Sequence, residues 1–267
     1  MHGARSAGAA SDDPLIAALR EAHARSKMVG WDFSRLEGRM LADEPWWDFE
    51  EDCRAAMSRA RSILDLGTGG GERLLRLLDR SGVDGGRVVA TEGWEPNVGL
   101  ARQALRPRGV ELVQYDAERG ERMPFPDARF ELVMSRHEAF EASELARVLA
   151  PGGVLLTQQV DGRDAEEIHE WFDAPFLYPQ ANSARCVADL ASAGLRIEAV
   201  DEWRGTMEFA DVEALVVYLA MVPWDAPGFT VDAHAQRLIE LAQHSPIRVT
   251  QRRFRVHAVK PREPRDR

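Results

Sequence analysis

From residue 63 to residue 158, apolar runs of strand length alternate with stretches of helical period. Ile63-Leu64-Asp65-Leu66 is one such run; a glycine-rich turn at 67–71 follows, and Leu74, Leu75, Leu77 and Leu78 then recur at helical spacing over 72–80. The same alternation predicts strands at 87–91, 110–115, 130–134 and 154–158 and helices at 96–105 and 141–149, the last stopped by Pro151-Gly152-Gly153. Strands without an inside-outside alternation are buried on both faces, so this pattern predicts an α/β fold with a mostly parallel sheet.

Beyond Gln159 the rhythm loosens. A helix is expected at 183–193, ending at Gly194, then a strand at 195–200 and a helix at 211–221 with Val212, Leu215, Val216 and Leu219 on one face. A Pro/Gly-rich aromatic loop at 222–229 precedes a helix at 231–243 and a last strand at 254–259. Before the alternating region, residues 1–12 read as disordered, and Asp13-Pro14 starts a helix, Asp as N-cap and Pro in the first turn. Residues 31–49 read as a loop carrying Trp31, Phe33, Trp46, Trp47 and Phe49. A polar loop has no use for so many aromatics, so they cover either the core or a ligand.

Composition narrows the classes. The chain has 267 residues, 45% hydrophobic and 29% charged, which is ordinary globular usage and enough chain to need neither disulfides nor structural metal. No apolar run approaches the roughly 20 residues of a membrane helix, and the first residues lack the apolar core of a secretory signal. Cys53 and Cys186 are isolated from each other and from clustered histidines, so no metal site is expected and the cysteines read as reduced, in a cytoplasmic protein. The net charge of −10 argues against a general nucleic-acid binder. Arg248, Arg252, Arg253, Arg255, Lys260, Arg262, Arg265 and Arg267 nevertheless load the C-terminus, which reads as one strand with solvated outward positions and a frayed end.

The chemistry concentrates at Asp65-Leu66-Gly67-Thr68-Gly69-Gly70-Gly71. Glycines at a strand-to-helix turn let the backbone approach a ligand and adopt positive φ. A nicotinamide-binding turn reads G-x-G-x-x-G, and here its final position is Glu72. The pattern is instead D-x-G-x-G-x-G. A carboxylate just before the turn suits a cationic amino group and would be unwelcome beside a pyrophosphate.

With these residues the chain resembles the class I S-adenosylmethionine (SAM)-dependent methyltransferases, well over about 61–160 and loosely elsewhere. Asp65, Gly67, Thr68, Gly69 and Gly71 match the first motif of that family, whose turn holds the methionyl part of the cofactor. Glu92, followed by Gly93 and Trp94, matches the acid that binds the ribose hydroxyls, a diol that one carboxylate can accept from twice; Trp94 is either packing or an adenine face. Asp116-Ala117 matches the pair that reads adenine. Met123-Pro124-Phe125-Pro126-Asp127 with Phe130-Glu131-Leu132-Val133, and Arg147-Val148-Leu149-Ala150-Pro151-Gly152-Gly153, are similar to two further motifs in the same order.

The resemblance implies a Rossmann-like seven-stranded sheet, mostly parallel with an antiparallel last strand and helices on both faces. A helical cap at 1–60, a core at 61–204, a helical insertion at 205–250 and a last strand with a basic tail at 251–267 complete the expected organisation. Ligands sit at the carboxyl ends of strands in such sheets. That places Ser135 beside the cofactor and makes His137 the candidate general base, unless His137 and Glu138 only cap the next helix. Glu138, Gln158, Trp31, Trp46, Trp47 and Trp224 are the candidate substrate-binding residues, the tryptophans either packing or offering faces to a cation. The expected reaction moves the SAM methyl to an oxygen, nitrogen or carbon of a small-molecule acceptor and leaves S-adenosylhomocysteine, with no metal and no membrane. The alternatives are an RNA methyltransferase using the basic C-terminus and a SAM-binding regulator or scaffold without catalysis.

Overall fold

The structure, a computed structural model, describes residues 13–26 and 33–262. The expected disorder at 1–12, the candidate Trp31 and the final arginines Arg265 and Arg267 lie outside the described residues. The described residues divide into two compact units, each assembled from separate segments: those within 46–161, 180–203 and 253–267 form one, and those within 1–45, 162–179 and 204–252 form the other.

The first unit carries the alternating region. Strand β2 (Ile63–Leu66) is buried at every position, and so is β3 (Val88–Glu92). They pair in parallel, Ile63 opposite Val88, while β2 pairs in parallel on its other side with β5 (Phe130–Arg136), Ile63 opposite Leu132. Strand β4 (Glu111–Gln114) extends this sheet beside β3, and β6 (Leu149–Val160) lies beside β5. Helix α3 (Glu72–Ser81) buries Leu74, Leu77 and Leu78, and α4 (Glu95–Leu105) buries Val98, Ala101 and Leu105. Together with Phe49, Cys53 and Met57 of α2 (Phe49–Met57) they cover one core, while Leu145 and Val148 of α5 (Ala142–Val148) and Leu190 of α7 (Ser183–Ser192) belong to another. Burial of these side chains, at about 1.5–3 kcal/mol each, is what holds two-faced strands in place.

The second unit has its own core around α8 (Val212–Met221), whose buried residues run almost continuously from Val212 to Met221. The expected single apolar face is too narrow a description: a helix apolar all round is central rather than peripheral. Helix α1 (Pro14–Arg25) begins where expected, with Asp13 accepting from the Leu15 N–H at 2.8 Å, and it sends Ile16 and Leu19 into this core. Helices α6 (Glu166–Phe172) and α9 (Ala235–Ala242) contribute Ile168, Phe172 and Leu238.

The sheet has eight strands rather than the expected seven, in the order β1-β7-β8-β6-β5-β2-β3-β4. The additional strand, β1 (Met40–Ala42), pairs antiparallel with Phe209–Met207 at the end of β7 (Arg196–Phe209). Its three mostly exposed residues carry no periodicity to read, as is usual for a short edge strand. The last strand, β8 (Ile247–Val259), is antiparallel to β6 as expected, Val154 opposite Val259. Both β7 and β8 begin or end well beyond the expected 195–200 and 254–259, because β7 continues into polar alternation rather than an apolar run.

Candidate active site

The turn after β2 is built by three positive-φ glycines, Gly67 (φ 69°), Gly69 (φ 64°) and Gly71 (φ 92°), a conformation that costs a residue with a Cβ roughly 1–2 kcal/mol. Its backbone is tied to the end of β3: Thr68 N–H donates to the Thr91 carbonyl at 2.8 Å and Gly69 N–H to Glu92 Oε2 at 2.7 Å. Glu92 also accepts from Trp94 N–H at 2.8 Å. This buried carboxylate therefore holds the two loops together, and a carboxylate's remaining lone pairs stay available for a diol. Burial pushes its carboxyl up, against the pull of the backbone N–H groups of Trp94, Gly69 and Gly93.

Asp65 is fully buried at the end of β2. Its Oδ1 accepts from Arg73 at 2.6 Å, whereas Oδ2 is buried without a hydrogen bond. Burial pushes the carboxyl up, against the pull of the Arg73 charge and of the nearby Thr68 hydroxyl. An acceptor left open beside a glycine turn is what a ligand ammonium group would satisfy. Arg73 was not legible as a partner: it stands in the first turn of a leucine-rich helix, and no pattern ties it to Asp65.

Gly93 brings the β3 and β4 loops into contact; a Cβ there would lie 2.8 Å from Asp116 Cα and 2.9 Å from the Tyr115 carbonyl oxygen. Asp116 accepts from Glu118 N–H at 3.0 Å and from Arg119 Nε at 3.2 Å, with its side chain 31% exposed, while Ala117 is buried. Trp94 is 44% exposed beside this loop pair. Asp65, Glu92 and Asp116 thus end three neighbouring strands on one edge, as expected from the order of the motifs.

Ser135, at the end of β5, is buried and donates to the Glu138 carbonyl at 3.3 Å. Gln159 Nε2 donates to the same carbonyl at 3.0 Å and to Thr157 Oγ1 at 2.8 Å. This clamp fixes the turn in which His137 takes φ 61°. Neither His137 nor Glu138 caps a helix, since α5 begins only at Ala142.

Gln158 links His137 to Trp47. Trp47 Nε1 donates to Gln158 Oε1 at 2.7 Å, and Gln158 Nε2 stands 3.2 Å from His137 Nε2. An indole N–H is only a donor, so the Gln158 amide must turn its oxygen to Trp47 and its NH₂ to His137. His137 Nε2 then accepts, and the ring proton sits on Nδ1. Desolvation, with the charges of Arg136, Arg253 and Arg73, holds the imidazole well below its ordinary value. His137 is a neutral N–H donor here, a poor fit to the expected general base.

The tryptophans divide. Trp47 is buried, whereas Trp46 is 67% exposed. The Arg255 guanidinium lies 5.1 Å from both ring centroids and pairs with Asp52 at 2.6 Å and Asp201 at 2.8 Å. The rings already face a cation supplied by the protein. Trp224 lies in the other unit, on the loop after α8, and is 41% exposed. Arg255 was legible only as one charge of a basic tail; its role depends on acids distant in sequence.

The arginine of the second similar motif is structural. Arg147 donates to the carbonyls of Phe125 at 2.7 Å and Met123 at 3.0 Å and pairs with Glu144 at 2.6 Å, pinning the Met123–Phe125 loop against α5. Among the described residues, no cluster of His, Cys, Asp and Glu suits a metal ion, and no helix is long and apolar enough to cross a membrane.

Comparison with known proteins agrees with this geometry. Residues 64–157 match the methyltransferase domain family. The uncharacterised methyltransferase YcgJ of Bacillus subtilis (strain 168) is 23% identical over 199 residues, covering 73% of this chain and 74% of its own. The crystal structure of Bacillus subtilis YcgJ superposes with a TM-score of 0.55 at 16% identity, over 80% of this chain and all (100%) of that one. A provisionally assigned methyltransferase of Bacillus halodurans C-125 gives 0.54 at 22% identity, over 79% and 97%. These likenesses share the fold, and the domain match falls on the segment that holds the glycine turn and its acids. The chain carries a methyltransferase domain at residues 64–157, in a sheet of the fold that these methyltransferases share.

Proposed function

We propose that the protein transfers the methyl group of SAM to an oxygen, nitrogen or carbon nucleophile of a small-molecule acceptor, and that the cofactor is held by the residues at the ends of β2, β3 and β4. The open Asp65 oxygen beside the glycine turn carries this reading: it is a buried acceptor that the protein itself leaves unsatisfied. Asp65 would take the ammonium group, Glu92 the ribose hydroxyls and Asp116 the adenine amine, with Gly67, Thr68, Gly69, Gly71, Gly93, Trp94, Ala117 and Ser135 shaping the walls. The residues present therefore fit the cofactor. When bound, SAM supplies a methyl group already activated by its sulfonium for SN2 displacement. The protein's part is alignment and exclusion of water.

His137 then acts as a donor, its Nδ1–H orienting an acceptor oxygen or nitrogen, and the nucleophile reaches the site in a reactive form. This departs from the base role that the resemblance suggests. Trp47 and Gln158 hold the ring, and Trp46 belongs with Arg255. Product release would leave S-adenosylhomocysteine on the same contacts.

A small acceptor is favoured over RNA because three arginines of the basic C-terminal stretch are engaged. Arg248 pairs with Glu208 at 2.8 Å, Arg252 with Glu166 at 2.7 Å, and Arg255 with Asp52 and Asp201. Neutralised arginines make a poor phosphate track. Calorimetric titration with S-adenosylhomocysteine tests the cofactor assignment. Asp116→Ala, at a half-exposed position, should weaken binding about ten- to hundredfold, the worth of a hydrogen bond to a charged group. Unchanged affinity would remove Asp116 from the site.

A further inference from the structure

Glu138 stands apart from the other acids of this site. The turn at His137 aims it back across the end of β5, and its carbonyl is clamped by Ser135 and Gln159. Its side chain lies directly on the glycine turn: a Cβ placed on Gly67 would fall 2.5 Å from Glu138 Cβ and 2.6 Å from its Oε2. Gly67 has no side chain, and Glu138 fills the place where one would be.

No donor and no cation reaches this carboxyl among the described residues. Its charged neighbours are acids: Glu92 at the end of β3, and Asp116 and Glu118 after β4. Arg73, the cation nearest the glycine turn in sequence, is committed to Asp65. On its own turn, His137 is neutral and Arg136 has its own interactions. Other half-buried carboxylates among the described residues have a cation or a donor, as Glu144 has Arg147, Asp201 has Arg255 and Glu167 has the Thr250 N–H and hydroxyl. A carboxyl enclosed among acids and left without a partner lacks one thing, a positive charge.

We propose that the Glu138 carboxylate is the counter-charge for the sulfonium of the cofactor, and so lets the protein distinguish the cationic methyl donor from the neutral thioether product. The assignment rests on the cofactor reading given above. A sulfonium has no N–H to donate, so it is recognised by charge rather than by a hydrogen-bonding fork; a single carboxylate pressed on the turn suits it. Asp65, Glu92 and Asp116 recognise groups that donor and product share. Glu138 alone would meet the group that changes, which favours exchange of spent product for fresh donor.

Burial, reinforced by the charges of Glu92, Asp116 and Glu118, pushes the Glu138 carboxyl up to about 8. At pH 7 it is therefore mostly protonated before the cation arrives. A cation favours the ionised form, so binding of SAM should expel that proton, and SAM affinity should rise with pH toward 8 and then level. S-adenosylhomocysteine brings no sulfonium and should leave the proton in place. The α-amino group of either ligand titrates near 8 as well, so the two ligands must be compared at one pH, and in one variant.

Calorimetry of the full-length protein at pH 7, in two buffers of different ionisation enthalpy, counts the protons. The expected result is close to one proton (~0.9) released per SAM bound and almost none per S-adenosylhomocysteine. Glu138→Gln, which keeps shape and removes charge, should abolish that release, weaken SAM about tenfold and leave S-adenosylhomocysteine unchanged. Equal proton counts for the two ligands, or an unaltered SAM affinity in Glu138→Gln, would overturn the assignment while leaving the cofactor reading intact. If neither ligand binds, the cofactor reading fails and takes this inference with it.

Discussion

Breaking the Asp65–Arg73 pair should damage folding as well as cofactor binding, and the two effects can be separated. Asp65 is fully buried and the Arg73 side chain is 12% exposed, with 2.6 Å between them. Asp65→Ala would leave a guanidinium enclosed without its carboxylate, a loss of about 3–5 kcal/mol. Arg73→Leu would leave the carboxylate with neither oxygen paired, and a comparable loss is expected. The double variant removes both charges at once. Because replacing a buried ion pair with apolar groups is often close to neutral, it should be more stable than either single variant, with a coupling of about 2 kcal/mol or more. Urea unfolding followed by tryptophan fluorescence measures all four proteins. The double variant should fold and yet fail to bind SAM, since the ammonium site is gone. Additive losses in the double variant, or single losses below about 1 kcal/mol, would refute the idea that these residues form one enclosed pair.

Two further outcomes follow from the same geometry. Nitrogen NMR of His137 should show a neutral ring protonated on Nδ1 at pH 6, and Gln158→Leu should free Nε2 and change the tautomer; a wild-type ring that titrates at its ordinary value would contradict the Trp47–Gln158–His137 chain. The Glu144 carboxyl is held low chiefly by the Arg147 hydrogen bond. Its stabilising contribution is complete above the ordinary glutamate range near ~4.3 and is lost as pH falls through its lower folded value. Protection of the Met123 amide, which donates to Glu144 at 2.7 Å, should therefore fall relative to its intrinsic exchange rate as pH drops below the glutamate range, and Glu144→Gln should remove that pH dependence.

Much of the first unit was readable from local pattern. A four-residue apolar run, glycines at positions needing positive φ, and a leucine stripe specify β2, the turn and α3 without reference to anything distant. The positions of the acids at 65, 92 and 116 were readable because each stands at or just past the end of a strand that the hydrophobic pattern marks. What was hidden depends on pairing across the chain. Strand β1 exists because residues 207–209 offer it an edge. Arg255 looked like a solvated charge because Asp52 and Asp201 are remote in sequence. The general-base expectation for His137 rests on a free imidazole; the donor role proposed instead rests on a tryptophan ninety residues away whose one donor orients Gln158. Glu138 was legible as a candidate at the end of β5 but not as a neighbour of Gly67, since a left-handed histidine turns it there.

Transfer of a labelled methyl group addresses the central claim most directly. Wild-type protein and Gly69→Val, whose branched side chain would crowd a φ of 64° and the turn itself, would be incubated with methyl-labelled SAM and a cell extract separated into small molecules, RNA and protein. The account predicts label in the small-molecule fraction with the wild type and none with the variant. Label in RNA or protein, or no transfer to any fraction by a wild-type protein that binds SAM, would contradict it.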